Sequence, residues 1–271
     1  MKFQNIIDMH THSDNSFDGN HSVILLCESA FNKKAKAIAI TDHCEIDSKT
    51  MDFRALTINS FVNTKMAQDS FCGNFIVMQG IELGQALYNK PLAEQILNDF
   101  DYDFVLGSIH NLKDMEDFYF LDYKQYDVDD LLTKYFECEL ELARWNKFDS
   151  LAHLTYPFRY IYERENYKPD LNKFSELIDE ILLTLVKNKK ALEINTSGFF
   201  MKIGETLPNE NIVKRFKELG GEYITVGSDA HYAEKICNGI EAGLELAQKC
   251  GFEYITIYQK REPVLIPIEK G

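Results

Sequence analysis

Six of the seven histidines in this chain of 271 residues sit where short apolar runs end. His10 and His12 follow the run 3–9, His43 follows 37–41, His110 follows 104–107, His153 follows 151–152 and His231 follows 223–226. Carboxylates share these places. Asp8 and Asp42 stand beside histidines, Glu82 follows the run 75–81, and Asp229 precedes His231 by two residues. Imidazole nitrogens and carboxylate oxygens are the usual ligands of zinc, manganese, iron and cobalt. In an extended stretch His10-Thr11-His12 points both rings to one side, because side chains alternate along a strand. Gly227-Ser228-Asp229-Ala230-His231 repeats that spacing. Gathered without cations, such groups would repel one another or stay unpaired. Five or more histidines with two carboxylates exceed what one ion can use, so the set points to two or three divalent ions. Only His21 falls elsewhere, near a helix start, and it reads as structural.

These residues converge only if the elements that carry them share a rim. The runs 3–9, 37–41, 75–81, 104–107, 151–152, 191–194 and 223–226 are short and apolar, as buried parallel strands are. Between them lie stretches of helical periodicity at 21–34, 59–68, 92–99, 128–148, 171–187, 211–219 and 239–249. Pro169-Asp170 reads as a start signal, and Gly220-Gly221 and Gly251 as stops. Seven strand-then-helix units imply parallel pairing with right-handed crossovers. A closed or nearly closed barrel is the simplest arrangement, with an open doubly wound sheet as the alternative. In a barrel the C-terminal strand ends form the rim on which active sites are built. No linker or repeat divides the chain, which reads as one domain over 1–271 with a terminal hairpin at about 252–268.

Composition excludes several roles. The 29 basic and 43 acidic residues leave a net charge of −14, which argues against a general nucleic-acid binder and against an anionic membrane surface. No apolar run approaches the roughly 20 residues of a membrane span, and the N-terminal residues lack a signal-peptide core. Six scattered cysteines without a Cys-x-x-Cys pair read as reduced thiols, and the expected location is cytoplasmic.

The succession Asp-Met-His-Thr-His-Ser, Ile-Thr-Asp-His, Gly-Ile-Glu, Gly-Ser-Ile-His, Ala-His and Gly-Ser-Asp-Ala-His resembles the PHP (polymerase and histidinol phosphatase) superfamily, and within it the histidinol-phosphate phosphatase branch. The resemblance runs from His10 to His231. It implies an α/β fold, a distorted (β/α)7 barrel with a trinuclear metal site at the C-terminal strand ends. It implies that His10, His12, Glu82 and Asp229 hold one ion. Glu82 would bridge to a second, completed by His110 and His153, and His43 and His231 would hold a third. Asp18 stands where some members of the superfamily have a third-metal histidine. Glu82, Asp229 and His231 are the implied catalytic residues. The implied cofactors are two or three divalent ions of zinc, manganese, iron or cobalt.

The implied activity is a phosphoric monoester hydrolase of histidine biosynthesis, acting on L-histidinol phosphate through a metal-bridging hydroxide. Two close ions lower the pKa of water from ~15.7 towards ~7 and neutralise phosphate oxygens, so an acidic protein can still bind a dianion. Arg159, in a loop after the fifth strand, is the expected phosphate clamp. Asn195 and Ser197 are further substrate contacts, and Lys113 and Lys202 weaker ones. Asp42 and Ser228 are expected to orient His43 or a metal ligand. Among Glu45, Asp47, Glu116 and Asp117, one or more can receive the amine and imidazole of the substrate. The alternatives are a PHP-type phosphoesterase acting on another small ester or a short nucleic-acid end, a metal-dependent amidohydrolase, and a non-catalytic domain.

Overall fold

The structure, a computed structural model, describes residues 2–48, 51–73 and 75–271. Its strands are β1 (Ile7–Asp8), β2 (Ala37–Ile40), β3 (His43–Glu45), β4 (Ile76–Gly84), β5 (Phe104–Ser108), β6 (Ser150–Leu151), β7 (Ala191–Asn195) and β8 (Ile224–Gly227). All pair in parallel in the order β1-β2-β4-β5-β6-β7-β8. β3 continues the line of β2 along β4 after a break at Thr41-Asp42: Ile40 lies opposite Gln79 and His43 opposite Glu82. Beyond their regular ends the first and last strands meet. Met9 N donates to Val226 O at 3.0 Å, Asp229 N to His10 O at 2.9 Å and His12 N to Ala230 O at 2.9 Å. The ring is thus nearly closed, as a distorted (β/α)7 barrel, and it is drawn together where the histidines sit.

Eight α-helices among the described residues flank the ring: α1 (Val23–Asn32), α2 (Phe53–Phe71), α3 (Lys90–Asp99), α4 (Val128–Trp145), α5 (Tyr156–Glu165), α6 (Ser175–Asn188), α7 (Glu210–Glu218) and α8 (Ile240–Lys249). Their starts have local causes. Ser22, Asp127 and Asn209 cap α1, α4 and α7 by accepting from the exposed N–H groups of the first turn. The apolar faces of α1, α2 and α8 pack on β2, β4 and β8, whose residues are almost all buried, while α4, with Leu131, Leu132, Tyr135 and Phe136 buried, packs against α6. Among the described residues no helix is long and apolar enough to cross a membrane.

Two local expectations are corrected. The run 3–9 forms regular strand only at Ile7–Asp8. The segment carrying Arg159 is helix α5, not a loop: Pro157 lies in its first turn, where a missing N–H costs nothing and the fixed φ suits a helix. At the C-terminus β9 (Tyr254–Gln259) and β10 (Glu262–Pro267) form an antiparallel hairpin. Lys260 and Arg261 both take positive φ at its turn, as a two-residue hairpin loop requires.

Candidate metal centre

Glu82, fully buried near the end of β4, is the centre of the rim. Its Oε2 lies 3.2 Å from His10 Nε2, 3.4 Å from His12 Nε2 and 3.1 Å from His43 Nδ1. Its Oε1 lies 3.0 Å from His110 Nε2 and 2.9 Å from His153 Nε2. One carboxylate therefore faces two sets of histidines with its two oxygens. Asp229 Oδ1 adds a second carboxylate, 3.4 Å from His12 Nε2 and 3.7 Å from His10 Nε2. Asp18 stands at the open side, 3.0 Å from His231 Nε2 and 3.8 Å from His43 Nε2.

Three overlapping groups of ligand atoms result: His10, His12 and Glu82; His43, Glu82 and His110; His12, His43 and His231. The donors fit borderline divalent ions and include no thiolate. Two buried nitrogens among the ligand groups lack a hydrogen bond, His12 Nε2 and His43 Nδ1. His43 Nδ1 lies 3.0 Å from Glu45 Oε1 and 3.1 Å from Glu82 Oε2 yet closes no hydrogen bond with either. Such atoms are costly to bury unless something completes them, and a cation does so.

Backbone strain marks the same place. His153 and Asp229 adopt φ of 22° and 54°, a region costly for residues with a Cβ. Both are held from outside: His153 N donates to Glu193 Oε2 at 2.8 Å, and Asp229 N to His10 O. A Cβ on Gly227 would lie 2.3 Å from His10 Cβ and 2.7 Å from Glu193 Oε1, so only glycine lets β8 approach the first strand this closely.

Three residues stand behind the histidines: Glu193 and Ser16, which the sequence does not single out, and Glu45, which it offers only as a substrate contact. Glu193, buried on β7, places Oε1 2.7 Å from His10 Nδ1. That contact fixes the tautomer that turns Nε2 toward Glu82. A lone glutamate inside the apolar run Ala191–Asn195 was its sequence signal. Glu45 reaches His110 Nδ1 at 3.0 Å as well as His43, so it is placed to orient both histidines. Ser16 Oγ lies 3.2 Å from His12 Nδ1, accepts from His43 N at 3.0 Å and donates to Asp42 Oδ1 at 2.9 Å.

Asp42 thus acts through Ser16, its other contacts being Ser13 and Ser60. Ser228 touches no candidate ligand: its N and Oγ both donate to Asp8. Arg159 donates from Nη1 to Ser197 Oγ at 3.0 Å and Asp229 Oδ2 at 3.3 Å, while its Nε has no partner. It and Ser197 line the cavity over the cluster. Asn195 does not. It is buried behind Asp229, donating to its Oδ2 at 3.3 Å and accepting from Ser197 Oγ at 2.6 Å, because it ends β7 pointing inward. Lys113 borders a neighbouring chamber, Lys202 stacks on Tyr162, and His21 Nδ1 accepts from Ala233 N.

The electrostatics are those of a site built for cations. Burial opposes ionisation of Glu82, but His43, His10 and His110 override it and hold the carboxyl well below its ordinary range. Burial likewise opposes a charged His43, yet Glu82, Glu45 and Asp18 raise its pKa to about 9. His10 and His110 are raised for the same kind of reason, by Glu193 and Glu82 and by Glu45 and Glu82. His12 goes the other way: burial, then His231 and His43, lower it to about 3 and leave it neutral. A proton on His43 occupies a lone pair that a cation needs, so metal uptake must expel it. Because that proton is bound below pH 9, zinc or manganese affinity is expected to rise from pH 6 to pH 9. Metal titrations at fixed ionic strength measure this, and an affinity that is flat over that window contradicts the assignment.

Known proteins resemble this chain along most of its length. The model of the PHP domain family matches residues 8–197. A protein of Thermotoga maritima named "Probable histidinol-phosphatase" is 32% identical over 262 residues, 94% of this chain and 97% of its own. A "Histidinol-phosphatase" of Lactococcus lactis is 28% identical over 258 residues, 93% of this chain and 94% of its own. The crystal structure of the histidinol phosphate phosphatase from Lactococcus lactis, complexed with zinc, L-histidinol and phosphate, superposes with a TM-score of 0.83 at 26% identity. It covers 96% of this chain and 99% of that one. On the match of the family model and the likeness to its relatives along nearly their whole length, this chain belongs to the PHP domain family.

Proposed function

We propose that this protein is a metal-dependent phosphomonoesterase that hydrolyses L-histidinol phosphate to L-histidinol and phosphate. The observation that carries the reading is the division of Glu82 between two groups of histidines, which is the geometry of a carboxylate shared by two ions. The relatives named for this activity, and the zinc, histidinol and phosphate of the Lactococcus structure, support the choice of substrate and cofactor. Divalent ions, when bound, supply a water acidified toward neutrality and positive charge against the phosphate oxygens.

The chain's own residues do the rest. His10, His12, Asp18, His43, Glu82, His110, His153, Asp229 and His231 form the ligand set. Asp229 joins the two parts of the site, with Oδ1 toward His12 and Oδ2 accepting from Arg159. That position suits it to orient the attacking water while the Arg159 guanidinium holds the phosphate. Arg159 is itself held between the rings of Tyr156 and Tyr160, at 4.3 and 4.8 Å from their centres, so it presents its donors with little freedom to lose. Water adds to phosphorus, the phosphorus–oxygen ester bond breaks, and the leaving alkoxide takes up a proton.

Purified protein loaded with manganese, zinc, iron or cobalt is expected to release phosphate from L-histidinol phosphate, and to lose this activity in chelator and regain it on metal addition. Turnover of other phosphate monoesters with L-histidinol phosphate inert would leave the phosphoesterase and remove the substrate.

A further inference from the structure

A cavity of about 540 Å³ stands over the histidine–carboxylate cluster, and its far wall is unlike its floor. The floor is histidine and carboxylate. The far wall is aromatic: Phe17, Tyr119 and Phe120 are 46%, 51% and 63% exposed, large apolar rings left at the mouth of a polar site. One carboxylate stands among them. Asp117 Oδ1 accepts from Tyr119 N at 2.6 Å and from Tyr156 Oη at 3.0 Å. A carboxylate has about four acceptor positions, so two contacts leave capacity. No lysine or arginine among the described residues forms an ion pair with it.

The other acidic candidates are engaged elsewhere. Glu45 serves His43 and His110. Asp47 accepts from Asn111 Nδ2 at 2.9 Å and, like Glu116, borders the adjacent chamber and not this one. Asp18 is spent on His231. Tyr156 measures the gap. Its ring packs on His110 and His153, 4.9 Å from each ring centre, and its hydroxyl reaches Asp117. Asp117 therefore stands one phenol ring beyond the cluster.

We propose that Asp117 is the residue that selects the substrate: it receives a positively charged nitrogen of the ester's organic half, which lies against the faces of Tyr119 and Phe120. The assignment rests on the phosphomonoesterase reading above and adds its chemical preference. Carboxylate and aromatic face both attract a cation, and neither favours a neutral or anionic alcohol. The preferred substrates are thus aminoalkyl phosphates, with L-histidinol phosphate among them.

The test uses the metal-loaded protein, wild type and Asp117→Asn, with L-histidinol phosphate, ethanolamine phosphate and phenyl phosphate. The wild-type ratio of kcat/KM for a cationic ester over phenyl phosphate is expected to fall about tenfold or more in Asp117→Asn, mainly through KM, as befits one charge-assisted hydrogen bond. Calorimetric binding of L-histidinol is expected to weaken by a similar factor. A ratio and a histidinol affinity that move less than about twofold overturn the assignment. Should the variant not fold, wild type alone decides. L-histidinol must compete with phenyl phosphate about tenfold better than an uncharged alcohol of its size, and equal competition overturns the proposal. Wild type that hydrolyses ethanolamine phosphate through Asp117 but leaves L-histidinol phosphate intact would remove the named substrate and keep this assignment.

Discussion

A Glu82→Ala protein is expected to lose about a thousandfold or more in kcat on L-histidinol phosphate, together with part of its metal. Glu82 Oε2 lies within 3.4 Å of nitrogens on His10, His12 and His43, and Oε1 within 3.0 Å of nitrogens on His110 and His153. Removing the side chain deletes one ligand from each of two neighbouring positions at once. It also removes the negative charge that offsets five largely buried imidazoles. Lewis-acid stabilisation by a bound ion contributes several kcal/mol to a transition state, and about 4 kcal/mol corresponds to a thousandfold in rate. Glu82→Gln keeps the volume but offers a weaker, neutral oxygen, so its loss should be nearly as large. Metal content per chain and kcat, measured on the same preparation, test this together. An active, metal-replete Glu82→Ala protein would sink the whole assignment of the site.

The second large effect is expected at a residue that touches no substrate. Glu193→Ala should weaken metal affinity by about 10–100-fold, the usual consequence of losing an outer carboxylate behind a ligating histidine. Glu193 does two jobs. Its Oε1 lies 2.7 Å from His10 Nδ1, and its Oε2 accepts from the backbone N–H of His153, which holds that residue at its positive φ. Alanine frees the His10 ring to turn and leaves both N–H groups buried without a partner. Glutamine can still accept from one of them and should recover part of the loss. Competition titrations with a zinc chelator give the affinities. If Glu193→Ala binds zinc as tightly as wild type, the contact at His10 is packing and not control of the ligand.

Much of the centre was legible because its signals are local. His-x-His at the end of an apolar run and Asp-x-His after another are statements about residue type and spacing, and strand ends on one rim are a property of the barrel class. The less legible parts have physical reasons. His43-Cys44-Glu45 lacks the apolar run of a strand, yet β4 offers it a free edge and it pairs there. Helix α5 begins at a Pro157 that also suits a turn, and only packing decides between them. Asn195 and Ser197 are two residues apart, but one points behind Asp229 and the other into the cavity.

The amino-acid sequence alone determined which groups this protein would bring to a site, their order along the chain and the class of fold that could gather them, because residue type and periodicity are read within a few positions. Only the tertiary structure decided which oxygen of Glu82 faces which histidines, that Glu193 and Ser16 stand behind His10 and His12, and that Asp117 lines the cavity beside Tyr119 and Phe120. Those facts depend on strand register and on the closing contacts between the first and last strands, which relate residues hundreds of positions apart through a few hydrogen bonds that no local pattern records.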